Sequence, residues 1–145
     1  MPSKSDLTVL AFDVGTQWTG VAVGQTRTGT ASPLDSLRLR NGKPDWERIG
    51  SLIGEWQPDR LIVGLPAGMD GQSHAMTDTA RRFARQLEGR YHLPVDFADE
   101  RLTTRAAWQI LEQQSSRRHS KPDIDGIAAV LIAETWLSSH AAAGA

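Results

Sequence analysis

The sequence predicts an α/β domain: a mixed sheet, three antiparallel strands extended by parallel ones, flanked by helices. Three observations predict it. An apolar, β-favouring start is followed by turn-separated strand segments, short apolar runs then alternate with helical stripes, and 145 residues suffice for one domain and not for two. The expected unit is a single domain over residues 1–145, ordered from about 7 to 138 with short flexible tails.

The first strand is Leu7 to Val14, LTVLAFDV, stopped by Gly15 in a tight turn. Val21–Gly24 and Gly29–Leu39 supply the second and third, separated by the polar turn Gln25–Thr28, which makes an antiparallel meander. Trp46, Ile49, Ile53 and Trp56 recur at helical spacing between Pro44 and Gln57, with Pro44 where a first turn tolerates it. Leu61–Val63 is a short buried strand. A second helix spans His74 to Gly89 with Met76, Ala80, Phe83, Ala84 and Leu87 as its stripe, and Pro94–Ala98 is the next strand. Thr103 caps a third helix carrying Ala107, Ile110 and Leu111, and Ser115–Lys121 reads as a disordered loop. The last helix starts near Pro122 and Asp123, with Ile124, Ile127, Ala128, Leu131, Ile132 and Thr135 facing inward, and the AAAGA tail is expected to fray.

A net charge of −1 excludes a bulk positive field, so nucleic-acid binding would need a local patch. The absence of cysteine excludes disulfides, a thiolate nucleophile and cysteine-ligated zinc. No apolar stretch approaches the roughly 18 residues that span a bilayer, and MPSKSDL is unlike a signal peptide, so a soluble, cytoplasmic protein is expected, with no membrane contact.

Three carboxylates stand where a charge is costly or well placed. Asp13 lies among apolar neighbours at the end of LAFDVG, where an ionised group needs a partner or a cation. Capping of the Gly15 turn is the alternative. Asp99-Glu100-Arg101 follows the strand PVDFA, at the kind of strand end where α/β sheets bind ligands. Asp125 is in the first turn of the last helix, favoured there by the helix dipole. Together they suit hard divalent cations, Mg²⁺ or Mn²⁺, two of which about 3.5–4 Å apart assist in-line phosphoryl displacement. His74, His92, His119 and His140 show no zinc-binding spacing, and no G-x-S-x-G elbow exists.

Four segments carry a resemblance. Asp13-Val14-Gly15-Thr16 with Gly20-Val21-Ala22, Val63-Gly64-Leu65-Pro66 with Asp70-Gly71, Asp99-Glu100-Arg101-Leu102-Thr103-Thr104, and Asp125-Gly126-Ile127-Ala128-Ala129 resemble the YqgF family, also called RuvX, in that order. The resemblance spans about residues 7 to 138. It implies a ribonuclease H-like fold, bacterial cytoplasmic residence and a metal-dependent nuclease of ribosome biogenesis that processes the 5′ end of pre-16S rRNA. Asp13, Glu100 and Asp125 match the family's acids: Asp13 is read as shared between two ions, with Glu100 and Asp125 each completing one. Asp99 is set aside because consecutive strand residues point to opposite faces. Two departures are Gly126, where a larger residue is usual, and Trp18, where a basic one is usual.

Arg outnumbers Lys, which suits bidentate phosphate contacts. Arg101 and Arg105 flank the Glu100 motif, and Arg117, Arg118 and Lys121 precede Asp125; both clusters are assigned to nucleic-acid binding. Arg81, Arg82 and Arg85 read as a solvated helix face. RNA is the expected partner, with structured DNA the alternative. Four-way junction cleavage would favour a symmetric homodimer, because two opposed strands must be cut; a monomer or a homodimer is the expectation. A non-catalytic assembly factor is the third reading. The Asp13 turn also looks like the phosphate turn of actin-type ATPases, which need a second domain.

Overall fold

The computed structural model describes residues 6–65, 72–99 and 121–144. Its elements are β1 (Thr8–Val14), β2 (Trp18–Gln25), β3 (Thr30–Arg38), α1 (Trp46–Trp56), β4 (Arg60–Leu65), α2 (Gln72–Tyr91), β5 (Val95–Asp99) and α3 (Lys121–Gly144). The sheet order is β3-β2-β1-β4-β5, antiparallel through β1 and parallel from β1 to β5. The expected mixed sheet and meander are therefore present, with β2 longer at both ends than anticipated. The helix expected after Thr103 and the loop expected from Ser115 lie outside the described residues, apart from Lys121, which opens α3.

β1 is apolar without alternation because it is buried on both faces. Leu10 and Phe12 join Val21, Val23, Leu37, Leu61 and Val63 in a core covered by α1 and α2. Val9 and Ala11 join Ile62, Ala98, Ile132, Ala133, Trp136 and Leu137 in a second core beneath α3. α1 starts at Asp45, whose side chain accepts the Arg48 backbone N–H at 3.1 Å, and ends at Gln57 in the left-handed region, its N–H bonded to the Ile53 carbonyl at 2.8 Å. Phe83 of α2 meets Phe12 edge-on at 5.4 Å and stacks on Trp46 at 5.4 Å, tying both helices to β1. The Tyr91 hydroxyl donates to the Trp46 carbonyl at 3.2 Å, and burial raises its pKa against the opposing influence of Arg90.

α3 departs from expectation in its buried stripe. Ala128 and Ile132 are buried as anticipated, but Leu131 and Thr135 are half-buried while Ala129, Ala133, Trp136 and Leu137 fill the core. The helix is apolar nearly all round, so periodicity could not select the face; partners on the sheet did. Glu134 accepts the Ala31 N–H at 3.2 Å, and the Trp136 indole N–H donates to Asp96 at 3.1 Å, which also pairs with Arg60 at 3.1 Å. α3 also continues helical to Gly144, past the expected ordered end.

Gly64 sets how closely α3 docks. A Cβ there would lie 2.4 Å from Ile132 Cδ1 and 2.9 Å from its Cγ1, and Ile132 is itself buried. Gly64→Ala is expected to cost about 1–3 kcal/mol by overpacking, read from urea unfolding. A neutral result would mean that α3 rides higher on the sheet than described.

Candidate functional site

Asp13 falls in the Val9–Ala11–Asp13 series of β1 and faces the α3 side, half-buried. The register pairs it with Gly20 of β2, so no side chain stands beside it across that ladder. On the other flank, Gly64 is one residue past the Phe12–Val63 pair of the parallel β1–β4 ladder. A carboxylate thus emerges between two positions without side chains, at the carboxyl edge of the sheet. Asp13 also has a polar partner of its own within the fold.

The turn after Asp13 is tight. The Gly15 N–H donates to the Trp18 carbonyl at 2.9 Å, and a Cβ on Gly15 would meet that oxygen at 2.7 Å, so the position admits only glycine without rearrangement. The Leu39 N–H donates to the Gln17 carbonyl at 2.8 Å, anchoring the turn to the strand end of β3.

α3 runs antiparallel to β1. Ile132 sits over Gly64, at the level where β1 ends, and Ala133 and Leu137 sit over Gly24, which pairs with Val9 near the start of β1. The helix begins at Lys121, one residue before the expected start, so Asp125 lies in its second turn; that end extends past Ile132 toward the same edge, with Asp125 seven residues or about 10 Å along the axis from Ile132. β5 is parallel to β4 and ends at Asp99 on that edge too. The backbone of this part of the chain brings the end of β1, the end of β5 and the start of α3 to one side of the sheet. Glu100, Arg101, Arg105, Arg117 and Arg118 lie outside the described residues, and the side chains of Asp125 and Lys121 are outside them as well. The Arg81, Arg82 and Arg85 face is exposed as expected.

The donor chemistry fits a hard cation at Asp13: an anionic oxygen, partly sheltered, with glycine on both flanks leaving room for waters and phosphate. One set of residues at this edge carries no local motif in the sequence. Trp18 and Arg38 are cross-strand partners on it, and Arg40 and Lys43 close a hairpin just beyond. The one mark of this set in the sequence is Trp18, which stands where the resembled family usually has a basic residue.

A family model described as RuvX, Holliday junction resolvase, matches residues 7–139. The chain belongs to this family. RuvX relatives include a protein of Actinobacillus pleuropneumoniae named "Putative pre-16S rRNA nuclease", 47% identical over 92% of this chain and 98% of its own. One of Pseudomonas paraeruginosa bearing the same name is 48% identical over 91% and 92%. Among solved structures, T. thermophilus RuvC in complex with a Holliday junction substrate superposes with a TM-score of 0.62 at 14% identity, covering 94% of this chain and 96% of that one. The RuvX chain thus has the ribonuclease H-like fold expected of it. No helix among its described residues is long and apolar enough to cross a membrane.

Proposed function

We propose that this RuvX chain is a divalent-cation-dependent nuclease that hydrolyses phosphodiester bonds, with pre-16S rRNA as its substrate, acting as one domain over residues 1–145 in the cytoplasm. The observation that carries the reading is the half-buried Asp13 carboxylate between Gly20 and Gly64, at the edge reached by β5 and α3. The names of the close relatives support RNA as the substrate.

Asp13, Glu100 and Asp125 would together hold the divalent cation, Mg²⁺ or Mn²⁺, as two ions if both sites fill. The positions of β5 that face α3 are Asp96 and Ala98, a parity that supports Glu100 over Asp99. When bound, the ions supply Lewis-acid polarisation of the phosphate and a more acidic water. The protein's own part is positional. β1 holds Asp13 through its pairing with Gly20 of β2 and through the Phe12–Val63 pair just before it, the Gly15 turn fixes the chain after it, and the two glycines leave the approach to its oxygens open. Arg101, Arg105, Arg117, Arg118 and Lys121 hold the phosphates flanking the cut.

A second reading, cleavage of four-way DNA junctions, draws on the family description. It favours a symmetric homodimer, since two opposed strands must be cut, whereas RNA processing is open to a monomer or a homodimer. The test is parallel cleavage of a pre-16S leader fragment, single-stranded RNA and a four-way junction with Mg²⁺, Mn²⁺ or EDTA. Metal-dependent cutting of the leader is expected. Paired symmetric nicks in the junction alone would replace the RNA reading, and no cleavage of any substrate would leave a binding module.

Replacing Arg117 and Arg118 together by Ala is expected to weaken RNA binding and to flatten the plot of log affinity against log salt by about 0.7 for each lost contact. An unchanged slope would remove that segment from the binding surface.

A further inference from the structure

Trp18 is set apart from the other tryptophans described. Trp46 and Trp56 pack on the core under α1 and α2, and Trp136 lies in the core under α3, but Trp18 joins neither and is half-buried. Its series on β2, with Gly20, Ala22 and Gly24, faces α3, the same side as Asp13. Asp13 pairs with Gly20, so Trp18 is its diagonal neighbour, about 7–8 Å away in a regular ladder. The residue directly between them has no side chain. A large aromatic surface is therefore presented one row beyond the candidate cation site.

Cations follow from it in order. Arg38, the β3 partner of Trp18, carries its guanidinium 5.9 Å from the indole centroid and is exposed. Two residues on, Arg40 and Lys43 exchange backbone hydrogen bonds at 3.0 Å in both directions around Asn41 and Gly42, which both have positive φ, at 54° and 73°. This is a two-residue hairpin of the tightest kind, and it places two like charges directly opposite each other. Such a pair is unfavourable by itself. Among the described residues no carboxylate forms an ion pair with Arg38, Arg40 or Lys43. Of the acids near the hairpin, Asp45 caps α1 and Asp35 pairs with Arg48 at 3.0 Å, while exposed Glu47 shares a cavity with Arg40 and Lys43 and forms no ion pair with them. A rigid turn that holds two cations outside any ion pair, near an arginine-topped indole, matches the composition of a single-strand binding groove, an aromatic platform for a base and cations for the backbone.

We propose that Trp18, Arg38 and the Arg40/Lys43 hairpin form a subsite for a single-stranded segment of nucleic acid adjoining the bond to be cut. A base stacks on Trp18. At 5.9 Å Arg38 is at the outer limit of cation–π contact, so the base takes the ring face and the guanidinium turns to its phosphate, and Arg40 and Lys43 hold the backbone that follows. The subsite rests on the nuclease reading for its substrate, and it draws the strand off over the β2–β3 side of Asp13.

The test is fluorescence-anisotropy titration of a short labelled oligouridylate in EDTA over a range of salt, with cleavage in Mg²⁺ followed in parallel. Trp18→Ala is expected to weaken binding about five- to a hundredfold, while Trp18→Phe, which keeps a ring, retains most of the affinity. Arg40→Ala with Lys43→Ala is expected to reduce the salt slope by about 1.4, two contacts at about 0.7 each. Circular dichroism checks that each variant is folded, and Trp18→Phe serves if the alanine variant is not. If the wild type cuts RNA but these variants bind with unchanged affinity and slope, the subsite is wrong and the nuclease reading stands. Equal loss in Trp18→Ala and Trp18→Phe would likewise rule out stacking. If the wild type neither binds nor cuts nucleic acid, both fall together.

Discussion

Asp13→Asn is expected to reduce cleavage by about a thousandfold or more while leaving the fold intact. Asparagine keeps the shape of the side chain and removes its charge, so the β1 ladders and the Gly15 turn persist. What is lost is an anionic oxygen for a hard cation. Transition-state charge stabilisation by such ions amounts to several kcal/mol, and each 1.36 kcal/mol is a factor of ten in rate. Circular dichroism in EDTA should show the fold unchanged, because the β1–β2 pairing and the Gly15 turn do not depend on the charge. A second readout does not involve turnover. Millimolar Mg²⁺ should raise the melting temperature of the wild type, since the cation binds the folded state alone, and should leave the variant unmoved. An Asp13→Asn protein that cut RNA at the wild-type rate would remove Asp13 from the reaction.

The largest effect on stability is expected at Phe83→Ala. Phe83 is 2% exposed and holds two contacts at once, the edge of Phe12 and the face of Trp46, so its removal opens a cavity between α1, α2 and β1. Phe→Ala in a core costs about 3–5 kcal/mol, against a total stability of about 5–15 kcal/mol for a domain. For a chain of this length the melting temperature should fall by about 10–20 °C. Trp46 emission should shift to the red as its stacking partner goes. Phe83→Leu should recover much of the loss. A change under about 1 kcal/mol would mean that α2 is not docked on β1 as described.

Several features were legible because they are written in short stretches of chain. The apolar run of β1 stops at Gly15, and the turn there closes on an N–H to carbonyl bond that a side chain would obstruct. The stripe Ala80, Phe83, Ala84 and Leu87 marks the buried face of α2, which is polar on its other side. Asp13 stood out because a carboxylate among apolar neighbours is costly unless it has a partner. The buried face of α3 was not legible for the opposite reason. With apolar residues all round, no stripe contrasts with a polar side, and Trp136 was turned inward by Asp96 from another strand.

The edge beyond Asp13 shows the same division. Trp18 was visible as an unusual residue, and Arg38, Arg40 and Lys43 as scattered charges in a strand and its exit. Their common placement depends on register, which joins residues 18 and 38 across two strands and brings 40 opposite 43 through a turn with positive φ at Asn41 and Gly42. Chain order and residue type alone determined a mixed α/β sheet, a family, and an acid whose position demanded a reason. Tertiary structure decided which face of the sheet that acid shares with α3 and with an indole and the arginine over it. Local pattern records the period of one element, whereas a site is made where several elements meet.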